Sequence, residues 1–314
     1  MINNESDILA YIQKNIKTVS KNVIKSIGDD CAVIKRSANK YFVITTDTSL
    51  LGPHFTKNYT PYEIGYKCLA TNLSDIAAMG CKPKYILMAI TIPKLEDKWI
   101  KSFYKGVNKL IKKYNLTLIG GDTNKGPLSI SFQVIGINNK KILYRKGAKI
   151  NDDIYVTGKI GMARAALLLK NKKEYIVLKK FLHTPTPRVN LGLSISNIAN
   201  CCIDISDGLA KDLQTLMTQS KTGANIFIDK IPTHYILKNK LTKNKYFEAL
   251  IGGGEDYELC FTASQKNRKR IKALSLQQKI PITMIGTVTK SKIKYWNNGN
   301  VIKLNLKGFD HFSK

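Results

Sequence analysis

Six short acidic clusters break into otherwise apolar or glycine-rich stretches of this chain: Gly28-Asp29-Asp30, Thr45-Thr46-Asp47, Asn72-Leu73-Ser74-Asp75, Gly120-Gly121-Asp122, Asp204-Ile205-Ser206-Asp207 and Gly253-Gly254-Glu255-Asp256. The chain has only 22 Asp and Glu against 51 Lys and Arg, so the clusters are not a by-product of an acidic composition. A carboxylate near a buried strand end is costly unless a positive group pairs with it. None of the six clusters contains a Lys or Arg. Several carboxylates converging on one place repel each other and need cations. Oxygen-only ligands without Cys or His point to Mg²⁺, which uses a few carboxylates together with water and substrate phosphates. Two or more such ions suit phosphoryl transfer.

Each cluster alone is weak. Gly-Asp is an ordinary turn pair, and Asp207 before Gly208 equally suits a helix cap. Asp75 is harder to dismiss. Ile64, Cys68, Leu69, Leu73 and Ile76 recur at helical spacing and predict a helix over residues 61–79. Asp75 sits deep in that apolar stretch, where a charge without a partner is rare.

The elements predicted along the chain give mixed α/β structure in both halves. Before Asn138 these are helices over 6–16, 61–79 and 98–114, with strands over 41–46, 85–92, 117–119 and 129–137. The polar run Asn138-Asn139-Lys140-Lys141 reads as a joint, giving domains over 1–139 and 140–314. Beyond it come strands over 142–144, 153–157, 203–205, 224–228, 259–263 and 282–288, and helices over 162–169, 189–199 and 209–219. There is no Walker A sequence and no kinase HRD/DFG set, so a nucleotide site here belongs to a fold without a P-loop.

No apolar run approaches the roughly 18 residues of a membrane span. The N-terminus has no continuous apolar block, so a cytoplasmic protein is expected. The six cysteines form no CxxC pair and are expected to be buried free thiols. The net charge of +29 invites a nucleic-acid reading. Arg, however, occurs only at 36, 145, 164, 188, 268 and 270, and the Lys are spread evenly. Specific recognition favours Arg and clustered basic residues, so no specific nucleic-acid partner is expected.

The ordered set of motifs resembles the thiamine-monophosphate kinase family, of the aminoimidazole-ribonucleotide-synthetase-like superfamily. Besides the acidic clusters, the resemblance rests on Gly52-Pro53-His54-Phe55, Gly126-Pro127-Leu128-Ser129, Ile154-Tyr155-Val156-Thr157-Gly158, Pro185-Thr186-Pro187-Arg188, Tyr257-Glu258-Leu259 and Gly308-Phe309-Asp310-His311-Phe312. It covers nearly the whole chain. It implies two mixed α/β domains, a homodimer formed through the N-terminal sheets, and direct transfer from ATP to thiamine monophosphate without a phosphoenzyme. Asp30, Thr45, Thr46, Asp47, Asp75, Asp122, Asp204 and Asp207 are similar to its magnesium ligands, with Asp30, Asp47, Asp75, Asp122 and Asp207 carrying catalysis. The resemblance puts Tyr104, Gly121, Asp122, Arg145 and Ser206 on ATP, and His54, Glu255 and Phe309 around the thiamine phosphate.

On the residues alone, Tyr104 reads as helix packing, Phe309 and Phe312 as an apolar tail, His54 as a loop histidine and Arg145 as a surface base. The chain departs from the family pattern at Asn151, where a Gly is usual, and near Lys125, where Arg is frequent. Among superfamily relatives, a selenophosphate synthetase would carry a reactive Cys near the N-terminus. A hydrogenase-maturation protein would end in Cys, whereas this chain ends His311-Phe312-Ser313-Lys314. An aminoimidazole-ribonucleotide synthetase would lack the Gly-Pro-His-Phe and Gly-Gly-Glu-Asp-Tyr-Glu pair.

The nucleic-acid alternative is open to a direct check. An oligonucleotide titrated at about 0.15 M salt is expected not to bind measurably, because purely electrostatic attraction fades steeply with salt. Tight binding at that salt would favour the alternative.

Overall fold

The computed structural model describes residues 5–16, 20–138 and 141–304. Among them the N-terminal half contains α1 (Glu5–Asn15), β1 (Val23–Lys25), β2 (Ala32–Ser37), β3 (Lys40–Leu50), α2 (Pro61–Ala78), β4 (Lys82–Ile92), α3 (Asp97–Tyr114), β5 (Thr117–Lys125) and β6 (Ser129–Asn138). Its strands form one sheet in the order β1-β2-β3-β6-β4-β5. All pairs are antiparallel except β4 with β5.

The second half contains β7 (Asp153–Thr157), α4 (Met162–Leu168), α5 (Tyr175–His183), α6 (Val189–Ile195), β8 (Ala199–Asp204), α7 (Leu209–Ser220), β9 (Gly223–Phe227), α8 (Tyr235–Lys240), α9 (Lys243–Phe247), β10 (Leu259–Ala263), α10 (Arg268–Gln278), β11 (Ile282–Thr289), β12 (Lys294–Asn297) and β13 (Asn300–Ile302). Its sheet runs β13-β12-β9-β11-β7-β10-β8, which leaves β8 and its terminal Asp204 at one edge.

The helix α2 organises the interior. Thr60 caps it through a reciprocal pair with Glu63, and Pro61 sits at the first helical position, where its missing N–H costs nothing. Fourteen of its eighteen residues are buried, so it is enclosed on all sides rather than amphipathic. It packs on β3 and β6, on α3, and on α6 and β8 of the second half. One apolar core therefore runs from Val33 and Phe132 through Leu69 and Ile76 to Leu191 and Phe261. A second core, with Ile203, Leu213, Leu216 and Ile226, lies wholly within the C-terminal half.

The six cysteines are free and buried, as the sequence leads one to expect. Other expectations change. Residues 142–144 form no strand. Leu143 donates its N–H to Met79 O, and Tyr144 O accepts from Cys202, so the apolar run is a buried connector stitched to both halves. The strand expected over 117–119 continues to Lys125, carrying Gly120-Gly121-Asp122 within it. The helix expected over 189–199 ends at Ile195, and Ala199 already opens β8.

The contact between α2 and α3 depends on two facing glycines. A Cβ at Gly65 would lie 2.3 Å from Phe103 O, and one at Gly106 would lie 2.0 Å from Tyr62 O. Gly106→Ala is therefore expected to push the helices apart and to cost about 1–3 kcal/mol, as overpacking usually does. Denaturant unfolding measures this. A loss below about 0.5 kcal/mol, typical of surface changes, would mean that the crossing is not tight.

Candidate active site

Three carboxylates converge where the two halves meet. Asp30 comes from the turn before β2, Asp75 from α2 and Asp204 from the end of β8, and one oxygen from each lies within 4.8 Å of the others. Local bonds fix all three. Thr45 Oγ1 donates to Asp75 Oδ2 at 2.6 Å, tying β3 to α2. Ser74 Oγ donates to Asp204 Oδ2 at 2.7 Å, tying α2 to the other half. Arg145 Nη2 and Nε donate to Asp30 Oδ1 at 2.7 and 3.1 Å. Asp29 Oδ1 in turn accepts the Arg145 N–H.

The electrostatics follow from this crowding. Removal from water and the neighbouring Asp30 push Asp204 from 3.8 up to about 8. Desolvation, then Asp47, Asp204 and Asp30, drives Asp75 well above the usual carboxylate range. Asp47 rises to about 6 through burial. Asp30 rises for the same reason, against the pull of Arg145. One guanidinium is too little for four acids. Asp30 Oδ2 is buried and accepts no hydrogen bond among the described residues. An orphaned carboxylate oxygen beside two further oxygen donors fits a hard divalent cation such as Mg²⁺.

The other expected ligands lie outside this triad. Asp47 aligns across the sheet with Phe132, Met88 and Gly121, whereas Thr48 aligns with Ser131, Ala89 and Asp122. Residues of one row point to one face, so Asp47 faces α2 and Asp122 faces the exposed side. Asp122 accepts from its own Thr123 N–H and from Asn124 Nδ2. Thr46 is exposed and donates to Phe132 O. Asp207 pairs with Lys211.

The remaining assigned residues divide in the same way. Gly121 has no room for a side chain, since a Cβ would lie 1.9 Å from Met88 O. Ser206 O accepts the Glu255 N–H. Tyr104 stands edge-on to Phe103 at 5.4 Å, which is helix packing. His54 Nδ1 accepts from Leu50 N–H, and Glu255 pairs with Lys67 at 2.8 Å. Phe309 lies outside the described residues.

Comparison with known proteins decides the family. Residues 28–138 match the AIR synthase related protein, N-terminal domain, and residues 149–295 match its C-terminal domain. A thiamine-monophosphate kinase of Buchnera aphidicola subsp. Schizaphis graminum is 43% identical, over 98% of this chain and 99% of its own length. The chain belongs to the thiamine-monophosphate kinase family. The Escherichia coli K12 thiamine-monophosphate kinase is 35% identical over 98% of both chains. A solved thiamine-monophosphate kinase family structure, described as AaThiL complexed with AMPPCP and TMP, superposes with a TM-score of 0.84 at 32% identity, covering 98% of this chain and 97% of that one.

In this thiamine-monophosphate kinase family member the structure gives parts to residues that the sequence reading left without one. Asn72 and Ser74 on α2 hold Asp47 N–H and Asp204. Asp212 is buried and accepts from Asp207 N–H and Gly208 N–H, pinning the loop after β8. Asp212 lies in the first turn of α7, where an acidic residue is favoured by the helix dipole; the buried Lys67 had no such sign.

The raised carboxylates set the direction of a pH effect. The folded value of Asp204 lies above its unfolded one, so its contribution to stability is fully present below about pH 4 and is lost as pH rises through about 8. A bound divalent cation would replace the proton. With chelator present, the melting temperature is expected to fall between about pH 5 and pH 8, and Mg²⁺ should raise it more at pH 8 than at pH 5. Scanning calorimetry tests this, and an equal Mg²⁺ increment at both pH values would contradict it.

Proposed function

We propose that this chain transfers the γ-phosphoryl group of ATP directly to thiamine monophosphate in a Mg²⁺-dependent reaction. The products are thiamine diphosphate and ADP, and this is the last step of thiamine diphosphate formation. The observation that carries the reading is the convergence of Asp30, Asp75 and Asp204, drawn from both halves of the chain, on one point.

In this reading Asp30, Asp75 and Asp204 hold Mg²⁺ with Thr45 and Asp47 beside them on the face of β3 toward α2, and Thr46, Asp122 and Asp207, outside the triad, serve further ions. The bound ions supply neutralisation of phosphate charge. That is the main requirement, because both reactants are anions. Two unit charges 4 Å apart repel by about 4 kcal/mol at an effective dielectric of 20. The acceptor oxygen already carries charge, so no side chain has to remove a proton from it. Arg145, whose Nε and Nη2 donate to Asp30 here, is the arginine that meets phosphate oxygens, and Gly121 presents its backbone to the nucleotide. Ser206 and Tyr104 complete the ATP contacts. His54, Glu255 and Phe309 surround the acceptor, with Glu255 as counter-charge and Phe309 as a flat face for a cationic ring.

Two identical chains pair through their N-terminal sheets. The edge strand β5 is exposed along its whole length, including Leu118 and Ile119, and an open apolar edge favours pairing. The joint between the two domains falls at 139/140. Six free buried thiols and the use of ATP suit a cytoplasmic enzyme.

Incubating the protein with ATP, Mg²⁺ and thiamine monophosphate is expected to yield thiamine diphosphate and ADP. Asp75→Asn should lower kcat by about a hundredfold or more, the scale of losing a key electrostatic group, with an unchanged circular-dichroism spectrum. Near-normal turnover in that variant would count against the scheme.

A further inference from the structure

Lys67 is the one lysine of α2, and its side chain is only 3% exposed. A buried ammonium has to be satisfied on every side. Nζ donates to His54 O at 2.8 Å and to Glu255 Oε1 at 2.8 Å. It also lies 5.3 Å from the centre of the Tyr59 ring. His54 belongs to the loop after β3, whereas Glu255 lies 188 residues further along the chain than Lys67, in the other half. One cation therefore joins the two elements to which the acceptor has been assigned.

The Glu255 side is held in an unusual conformation. Glu255 and Tyr257 have φ of +70° and +49°, a region that residues with a side chain seldom occupy. Such strain persists only where surrounding bonds over-determine it. Glu255 N–H donates to Ser206 O and Tyr257 N–H to Ile205 O, clamping the turn to the end of the strand that carries Asp204. Lys67 supplies the only side-chain clamp on the Glu255 carboxylate that the described residues provide through an ion pair. It lies eight residues before Asp75 on the same helix, about 12 Å at 1.5 Å per residue. The helix α2 thus carries the anchor of the acceptor pocket at one point and a carboxylate of the triad about two turns later.

We infer that Lys67 is a positioning residue for the phosphate acceptor: it holds the Glu255 carboxylate and the His54 loop together, and through α2 it fixes their distance from the carboxylate triad. The inference rests on the reading of function given above. It assigns Lys67 to recognition of a cationic acceptor and leaves ATP binding untouched.

The test compares wild type, Lys67→Met, Glu255→Gln and the double variant. Thiamine monophosphate binding is measured by calorimetry without ATP, and KM is measured for both substrates. Lys67→Met is expected to weaken acceptor binding tenfold or more while KM for ATP stays within about twofold. The double variant should be no worse than the weaker single one, because both changes break the same contact. Acceptor binding within twofold of wild type, equal weakening toward ATP, or additive losses would overturn the role. If Lys67→Met fails to fold by circular dichroism, Lys67→Gln, which keeps a donor for His54 O, decides with the same readouts. Unchanged acceptor affinity in that variant would overturn the role, and a selective loss would support it. A wild type that neither binds nor phosphorylates thiamine monophosphate would overturn the reading of function and this role with it. A normal wild type beside a normal Lys67→Met would overturn the role alone.

Discussion

Three carboxylate oxygens held within 4.8 Å of one another, two of them on buried residues and the third on a half-buried one, are the constraint from which the rest of the molecule follows. Left charged and uncompensated, they would repel strongly and lose hydration. The protein answers in three ways. Arg145 is drawn in from the connector to sit on Asp30. Hydroxyls of Thr45 and Ser74 donate to Asp75 and Asp204. The charge that remains is disfavoured, which displaces the titration of Asp47, Asp75 and Asp204 upward. A buried oxygen of Asp30 still goes unmet among the described residues. A site prepared in this way favours cations of high charge density and substrates that bring phosphates with them.

The helix that carries Asp75 explains how the arrangement survives folding. Enclosed by the first sheet, α3 and two elements of the second half, α2 has apolar neighbours on most sides. Three of its buried polar residues are committed to bonds with other elements. Lys67 bonds His54 and Glu255, Asn72 bonds the Asp47 backbone, and Ser74 bonds Asp204. A rigid element with polar groups at defined intervals can set distances between substrates more reliably than a loop. The close glycine crossing with α3 serves the same rigidity by leaving the helices little freedom to slide. Membership of the thiamine-monophosphate kinase family gives this rigidity a chemical purpose, since two anionic reactants have to be held in line.

Much of this was legible before any coordinates. The acidic clusters stood out because acids are scarce in the chain. β6 was legible because it alternates, and β7, β10 and the helix α2 because each is a strongly apolar run. The failures have local causes. Residues 142–144 look like a strand because they are apolar, yet their backbone bonds go to Met79 and Cys202 in two different elements. The two terminal strands β12 and β13 are only four and three residues long, so periodicity says little about them. Asp47 and Asp122 look equivalent in sequence, each ending a small-residue motif. Only the register of β3, β6, β4 and β5 sends them to opposite faces.

The amino-acid sequence by itself determined the chemistry available to this protein: which carboxylates exist, what flanks them, and which helix and strands bear them, because composition and periodicity are local properties. Tertiary structure alone decided which carboxylates meet, that Arg145 answers Asp30, and that Lys67 reaches Glu255 across 188 residues. Those pairings depend on how two sheets and one enclosed helix stack, and no short-range pattern in a chain encodes a distance between residues so far apart along it.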